Sequence, residues 1–268
     1  MMVYKDMDIG TAKPTLAERR SVPHHLIDLV SPDEPFSVAD YVKRAEGAIA
    51  DVLERGKLPL VVGGTGFYIR ALSEGLPTVP PADAAAQAEL WERLEREGLD
   101  ALVAELGRLS PDDAGRAQRN PRRVVRALEI LRRTGRAPSA FPYKAPRFRY
   151  DKAVLLPELK LLGRRIALRT ERMFEDGLVG EVRDLLERYP SRPTATQAIG
   201  YKEVVAHVEG RCTLEEAKDA VTLATTRYAK RQRTWFRKEP GARLYPLGRS
   251  AGPEEVLGEL RGWLEPLA

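Results

Sequence analysis

A glycine-rich turn directly follows an apolar run in the segment "VVGGTG" (61–66). Glycine lets backbone N–H groups approach an anion closely, and the hydroxyl of Thr65 adds a side-chain donor. Ligands of open α/β folds bind at the carboxyl edge of the sheet, so Gly63, Gly64 and Thr65 are candidate contacts for a phosphate or diphosphate. The alternative is a plain tight turn between a strand and a helix.

Arginine and lysine side chains elsewhere can complete such a phosphate site. Arg165, Arg169 and Arg172 are spaced at i, i+4 and i+7, so they share one face of a predicted helix. Guanidinium groups bind phosphate oxygens bidentately, which favours a diphosphate clamp, although a face of salt bridges with neighbouring acids fits the same spacing. Lys13 in "DMDIGTAKP" (6–14) is a further candidate, but its spacing alone does not require it.

Basic residues are concentrated in two segments, which indicates a polyphosphate partner such as RNA. Residues 116–136 contain eight arginines with Glu129 as their one acid, and residues 227–238 contain six basic residues and no acid. In the second segment, basic groups can hold phosphates while Trp235 stacks on an unpaired base. The alternatives are a solvated helix face for the first segment and a tryptophan packed on the core for the second.

The composition is that of a water-soluble globular protein. The chain has 268 residues, of which 43% are hydrophobic and 31% charged, with a net charge of +5. Apolar runs are far shorter than a membrane span, and the first residues do not resemble a secretory signal. A single cysteine, Cys212, forms no internal disulfide, and three histidines offer little for a zinc site. We predict a cytoplasmic protein without membrane contact.

Strands and helices alternate in the parts of the chain that carry the glycine turn, which predicts an α/β core. Residues 57–69 resemble a short apolar strand buried on both faces that is followed at once by the glycine-rich turn, and a helix with Ser37 as N-cap and Gly56 at its end precedes them. Further strands are predicted at 153–157 and 243–247. The predicted helices of the core cover 161–189, 201–209, 214–237 and a last segment from Glu254.

A helical lobe interrupts this core. Prolines between residues 77 and 82 break the pattern, and helical periodicity follows at 84–96, 99–109 and 121–134. We therefore predict a core of residues 1–78 and 147–268 with an inserted helical domain at 79–146.

Six segments, in this order and spacing, resemble the tRNA dimethylallyltransferase (isopentenyltransferase) family: "DMDIGTAKP", "LVVGGTGFY", "NPRRVVRALE", "RRIALRTERM", "QAIGYKE" and "AKRQRTWFRK". The resemblance covers nearly the whole chain. It implies a P-loop NTPase-like parallel-sheet core and transfer of a dimethylallyl group from dimethylallyl diphosphate to N6 of the adenine just 3′ of the tRNA anticodon. It also implies Mg²⁺ as cofactor, the tRNA anticodon stem-loop as partner, and a monomer.

Family members carry a strand, a P-loop of the GxxxxGK[ST] kind and an Asp-Ser-x-Gln-Val-Tyr segment ahead of "DMDIGTAKP". This chain begins inside the last of these, with Met2 where glutamine is usual. The family's general-base aspartate and P-loop threonine have no counterpart here. The resemblance thus implies an N-terminal truncation that removes the P-loop strand, and a chain that is inactive or nearly so.

The resemblance assigns roles by position. Thr65 and Arg169 act in catalysis, and Gly63, Gly64, Thr65, Lys13 and Arg169 bind the diphosphate. The implied tRNA contacts are Arg122, Arg123, Arg126, Gln197, Gly200, Tyr201, Lys202, Lys230, Arg231, Gln232, Arg233, Trp235 and Arg237. Gln87 stands where the family has an arginine, and no residue is assigned as a metal ligand. Two other functions stay open: a non-catalytic RNA-binding protein, and a prenyltransferase acting on free adenine nucleotides.

Overall fold

The computed structural model describes residues 1–189, 195–248 and 253–265. The helices are α1 (Leu16–Ser21), α2 (Val38–Glu54), α3 (Gly66–Glu74), α4 (Ala84–Glu97), α5 (Leu99–Leu109), α6 (Pro111–Ala117), α7 (Pro121–Thr134), α8 (Leu159–Glu175), α9 (Leu178–Arg188), α10 (Tyr201–Val208), α11 (Leu214–Phe236) and α12 (Pro253–Leu264). The strands are β1 (Leu76–Pro77), β2 (Tyr143–Lys144), β3 (Lys152–Pro157) and β4 (Ala242–Leu247). None of the helices in these ranges is long and apolar enough to span a membrane.

The chain forms two compact units. Glu74–Arg147 make up one, and Met1–Ser73 with Phe148–Ala268 make up the other. The predicted limits of the inserted domain, 79 and 146, fall inside the first unit. This unit is helical apart from the antiparallel pair β1–β2, and its core packs Leu90, Leu102, Leu106, Val124 and Leu128. Each buried side chain of this size stabilises the fold by about 1.5–3 kcal/mol.

The larger unit has the α/β character that the sequence predicts. β3 pairs in parallel with β4 from Lys152↔Ala242 to Pro157↔Leu247, and Tyr4 bridges Val30 in parallel. Its main apolar cluster joins the N-terminal segment to α9 and α10 through Tyr4, Met7, Leu178 and Tyr201. The N-terminal loop is thereby fixed against two helices that lie far from it in sequence.

Helices with local end signals match their predictions. Ser37 accepts a hydrogen bond from the Asp40 N–H at the start of α2, and the Asp40 carboxylate accepts one in return. Asn120 caps α7 in the same way as Ser37 caps α2, by accepting from the Arg123 N–H, and the helix ends at Gly135 in the left-handed region. Because these signals lie within four residues of the helix ends, sequence alone identifies them.

The strand predicted within residues 57–69 is wrong. Residues 57–65 belong to no strand and α3 begins at Gly66, while Leu60, Val61 and Val62 are 63%, 41% and 91% exposed. Their apolar composition favours a strand, but a strand also needs a hydrogen-bonded neighbour, and none of the described residues pairs with this segment. The glycine turn consequently follows an irregular stretch whose residues 60–63 are exposed.

The single helix predicted at 161–189 is also wrong, because the chain breaks it into α8 and α9. Gly177 adopts φ +100°, a conformation that terminates a right-handed helix and that side chains with a Cβ disfavour. The periodicity of apolar residues continues across the break, which explains why it predicts one helix.

We expect Gly177→Ala to lower the free energy of unfolding by about 1–2 kcal/mol, because alanine is strained at positive φ. The matched control is Gly180→Ala, three residues on in α9, where an added Cβ meets nothing within 4 Å. That substitution should raise stability by about 0.5–1 kcal/mol, since the position is helical. Urea unfolding at neutral pH measures both, and equal effects in the two variants would contradict the assignment of strain to Gly177.

Candidate functional site

The glycine turn is held directly by the C-terminal half of α11. The Gly64 carbonyl oxygen accepts hydrogen bonds from Gln232 Nε2 at 2.7 Å and from the Tyr228 hydroxyl at 3.3 Å. A Cβ at Gly64 would overlap Gln232, and one at Gly66 would overlap the indole of Trp235. An added Cβ at either glycine would therefore force the neighbouring side chain to move.

The same contact leaves the predicted anion-binding groups accessible. Gly63 has open space around its Cα, and Thr65 is exposed. The Thr65 carbonyl accepts from the N–H groups of Tyr68 and Ile69, so Thr65 stands at the N-terminus of α3. A helix N-terminus carries partial positive charge, which favours an anion at this position. The turn thus has the geometry for phosphate binding while its other side is fixed by α11.

Arg169 lies on α8, which packs along α11 and whose buried residues are Ile166 and Thr170. Its side chain is exposed and forms no ion pair or hydrogen bond with the described residues. No hydrogen bond joins Arg169 to Thr65 in this part of the chain, although both lie on elements that contact α11. Their joint action on one diphosphate stays a prediction.

Lys13 is an internal ion-pair partner in this structure. Its side chain is 1% exposed, and its ammonium donates to the Tyr4 carbonyl at 2.9 Å, to Asp28 at 2.5 Å and to Asp8. Burial acts to raise the pKa of Asp28, but hydrogen bonds from Lys13 and Arg19 hold it below its ordinary value. All three ammonium protons have acceptors, so diphosphate binding by Lys13 would require it to leave a partner.

The Glu181 carboxylate fixes the loop that carries Lys13. It accepts from the backbone N–H groups of Asp8 at 2.8 Å, Ile9 at 2.7 Å and Gly10 at 3.1 Å, and from the Tyr201 hydroxyl at 2.6 Å. Burial, followed by the adjacent Glu181 charge, raises the pKa of Tyr201. Four donors on one carboxylate connect the N-terminal loop with α9 and α10.

The segment "QAIGYK" divides into internal and external positions. Tyr201 is buried and bound to Glu181, and Gly200 adopts φ +96° as the N-cap of α10. Gln197 lies in the short 3₁₀ helix Ala195–Gln197, and Lys202 is exposed. Lys202 is therefore the charged group of this segment that an RNA can reach.

The basic segment at the end of α11 likewise contains residues with contacts inside the protein and residues that are exposed. Gln232 and Trp235 hold the glycine turn, and Arg233 donates to the Pro157 carbonyl at the end of β3 at 2.5 Å. Lys230, Arg231 and Arg237 are exposed. RNA contacts by Gln232, Trp235 or Arg233 would therefore compete with the contacts that these side chains make inside the protein.

A buried glutamate organises the arginines of the helical unit. Glu129 has no exposed surface and accepts from Arg126 at 2.7 Å, Arg133 at 2.9 Å, Gln87 at 2.8 Å and the Asp83 N–H at 2.8 Å. Burial acts to raise the pKa of Glu129, but these hydrogen bonds, led by that of Arg126, lower it below its ordinary value. Gln87, which stands where the family has an arginine, thus donates its side-chain amide to Glu129.

Arg122 and Arg123 differ from Arg126 in being exposed. Among the described residues, the Arg123 guanidinium makes only long hydrogen bonds, to the Arg116 carbonyl at 3.3 Å and to Gln118 at 3.5 Å. These two guanidinium groups are consequently available to a phosphate. Sequence reasoning missed the carboxylates Glu129 and Glu181 as organising groups, although a lone acid among eight arginines was a signal for Glu129.

Replacing Glu181 with glutamine should destabilise the fold by about 2–4 kcal/mol, because the amide NH₂ would face backbone N–H donors. Glu187→Gln in the same helix is the control, since Glu187 is exposed and its loss should change stability by less than about 0.5 kcal/mol. Chemical unfolding of both variants measures the difference. Similar stabilities would show that the carboxylate does not hold the loop.

We expect the stabilising effect of Glu129 to depend on pH. Its pKa is lower in the folded chain than the unfolded value of about 4.3, so its contribution is full above that pH and is lost as pH falls through the folded pKa. Glu129→Gln should therefore cost about 2–4 kcal/mol at pH 7 and progressively less below about pH 4. Unfolding curves across pH measure the gap to the unmodified chain, and the exposed Glu92→Gln is the control. A gap that widens in acid would refute the ion-pair argument.

Comparison with known proteins identifies the family. The family model described as IPP transferase matches residues 2–239. A tRNA dimethylallyltransferase from Thermus thermophilus is 58% identical over 263 residues, covering 98% of this chain and 86% of the relative. One from Deinococcus radiodurans is 46% identical over 267 residues, with 98% and 85% covered.

Solved structures agree with this result. The full-length tRNA isopentenylpyrophosphate transferase from Bacillus halodurans is 37% identical with a TM-score of 0.69, and the match covers 99% of this chain and 84% of that one. A eukaryotic dimethylallyltransferase described as acting on tRNA is 28% identical with a TM-score of 0.72, over 92% of this chain and 65% of that one. The P-loop NTPase-like α/β fold predicted from the sequence is confirmed, and the chain belongs to the IPP transferase family.

Proposed function

We propose that the protein transfers a dimethylallyl group from dimethylallyl diphosphate to N6 of the adenine 3′ of the anticodon in tRNA. The proposal rests on the glycine turn of this member of the IPP transferase family. α11 holds one side of the turn through Gln232, and Gly63 and Thr65 on the turn remain accessible to a ligand. An exposed basic surface on α7 and α11 supports an RNA substrate.

In this reaction the N6 nitrogen forms a bond to the allylic carbon, the carbon–oxygen bond to the diphosphate breaks, and N6 loses a proton. The electron pair of the broken bond moves to the leaving diphosphate. The turn N–H groups and the Thr65 hydroxyl donate to its oxygens, and the Arg169 guanidinium offsets the developing charge. No base is assigned among the described residues.

We propose that Mg²⁺ binds together with the diphosphate substrate. Within the described ranges, no three His, Cys, Asp or Glu residues are grouped so that they could hold a metal. Mg²⁺ is commonly held by substrate phosphates, waters and at most one or two carboxylates, so we assign it no ligand from these residues. When bound, it would neutralise charge on the leaving group.

Arg169→Gln tests the role of the arginine. We expect prenyl transfer to fall by about 100-fold, as for other lost transition-state donors, and dimethylallyl diphosphate to bind about tenfold more weakly. Arg164→Gln is the matched control, because Arg164 is exposed on the same helix and is not among the proposed contacts. Radiolabelled transfer to tRNA and titration of the diphosphate measure the two effects.

The titration measures the affinity for dimethylallyl diphosphate even if the chain has no transferase activity. A chain that binds tRNA but no allylic diphosphate would be the non-catalytic RNA-binding protein, and one that prenylates adenine nucleotides in preference to tRNA would be the other alternative. The sequence resemblance also implies a chain that is inactive or nearly so, and turnover measured beside the Thermus thermophilus relative decides between that expectation and the proposed transfer.

A further inference from the structure

Glu239 is a buried carboxylate that no step of the proposed reaction uses. It lies just after the end of α11, and its side chain is 1% exposed. One carboxylate oxygen accepts from Arg70 Nη2 at 3.0 Å, and the other accepts from Lys152 Nζ at 2.6 Å. Arg70 belongs to α3 and Lys152 begins β3, so this carboxylate joins the end of α11 to two separate elements.

The Glu239 carboxylate keeps its charge although it is buried. Burial acts to raise the pKa of Glu239, but hydrogen bonds from Lys152 and Arg70 hold it below its ordinary value. A buried charge is stable only with partners of opposite sign, and removal of one partner leaves the other without compensation. Glu239 is therefore a fixed attachment point for both cations at neutral pH.

Arg70 and Gly66 attach α3 to α11 on one face of the helix. They are i and i+4 in sequence, which places them on the same side of an α-helix. The Arg70 guanidinium lies 4.5 Å from the centre of the Trp235 ring, and a Cβ at Gly66 would overlap the same indole. Trp235 therefore contacts both residues, and the ion pair with Glu239 holds the arginine in that contact.

This double attachment fixes the direction of α3. The N-terminus of the helix directly follows the glycine turn, and it carries partial positive charge next to Thr65, the candidate diphosphate contact. A helix held at its first residue alone can tilt about that residue, whereas a second attachment one turn away removes this freedom. Hydrogen-bond donors stabilise a leaving group best when their positions are fixed before the substrate binds.

We propose that Glu239 is a positioning residue of the diphosphate site, which acts through Arg70 to fix α3 on α11 so that the glycine turn presents its donors to the leaving group. The inference rests on the proposed function, because it adds a residue to the site assigned there. Glu239 and Arg70 are outside every set of residues to which the family resemblance assigns a role. In this role Glu239 touches no substrate atom.

Charge alone is the competing explanation, and it predicts a different pattern of effects. If the two side chains act only through their electric fields, Glu239→Gln removes a negative charge and strengthens diphosphate binding, whereas Arg70→Gln removes a positive charge and weakens it. If they position α3, both substitutions weaken binding, because either one breaks the same ion pair. The two variants together therefore separate position from charge.

The test is titration of dimethylallyl diphosphate into the unmodified chain, Glu239→Gln and Arg70→Gln. We expect each variant to bind about tenfold more weakly, which is the size of a lost contact at a helix N-terminus. The double variant should bind no more weakly than either single variant, because two residues that act as one unit are not additive. Affinity for an anticodon stem-loop RNA should stay unchanged in Glu239→Gln, which a general loss of structure would not allow.

Lys152→Met is the matched control. It removes the other ion pair of the same carboxylate and leaves the pair between Glu239 and α3 in place. We expect its midpoint in urea unfolding to fall about as far as that of Glu239→Gln, while its affinity for dimethylallyl diphosphate stays unchanged. Stability and diphosphate binding are thereby measured separately.

Unchanged or tighter diphosphate binding by Glu239→Gln would overturn the inference, and so would equal weakening in Lys152→Met. Either result leaves the proposed function standing, because the unmodified chain binds the diphosphate in both. An unmodified chain that does not bind dimethylallyl diphosphate would instead count against the proposed function, and the inference would fail with it.

Discussion

The contact between α11 and the glycine turn is the constraint on which the candidate site depends. Gln232 and Trp235 are three residues apart and lie on one face of the helix, where they meet Gly64 and Gly66. A shift of α11 by one residue would rotate this face by about 100° and remove both contacts. The register of the helix therefore fixes which groups of the turn face solvent.

Carboxylates that accept several hydrogen bonds hold further parts of each unit, and two of them, Glu129 and Glu239, are buried. Glu239 holds Arg70 over Trp235, Glu181 holds the N-terminal loop, and Glu129 holds the arginines of the helical unit. A buried charge is costly unless several donors satisfy it. Glu129 and Glu181 each accept from four donors, and Glu239 accepts from two, Arg70 and Lys152. Such networks favour one arrangement of side chains over its alternatives, which suits a site that has to present donors in fixed positions.

Sequence reasoning predicted what is determined locally. The caps of α2 and α7 lie within a few residues of the helix ends, and the limits of α5 and β3 follow from short patterns of apolar residues. It failed where the outcome depends on distant partners. Residues 57–64 have strand composition without a strand neighbour among the described residues, and three of the four partners of Glu181 lie more than 170 residues away in sequence. Trp235 shows the same limit, because its covered face results from an arginine on another helix.

The basic character of the sequence overstates the surface available to RNA. In the arginine-rich segment, Arg126 and Arg133 share Glu129, Arg132 pairs with Glu105, and Arg119 pairs with Asp100. A cation with an adjacent acid contributes little at distances beyond the screening length of about 8 Å, because the two fields nearly cancel. Among the described residues, those that are exposed without an ion pair are Arg116, Arg122, Arg123 and Arg136 in that segment and Arg227, Lys230, Arg231, Arg237 and Lys238 at the end of α11. Fewer groups therefore carry uncompensated positive charge than the count of basic residues suggests.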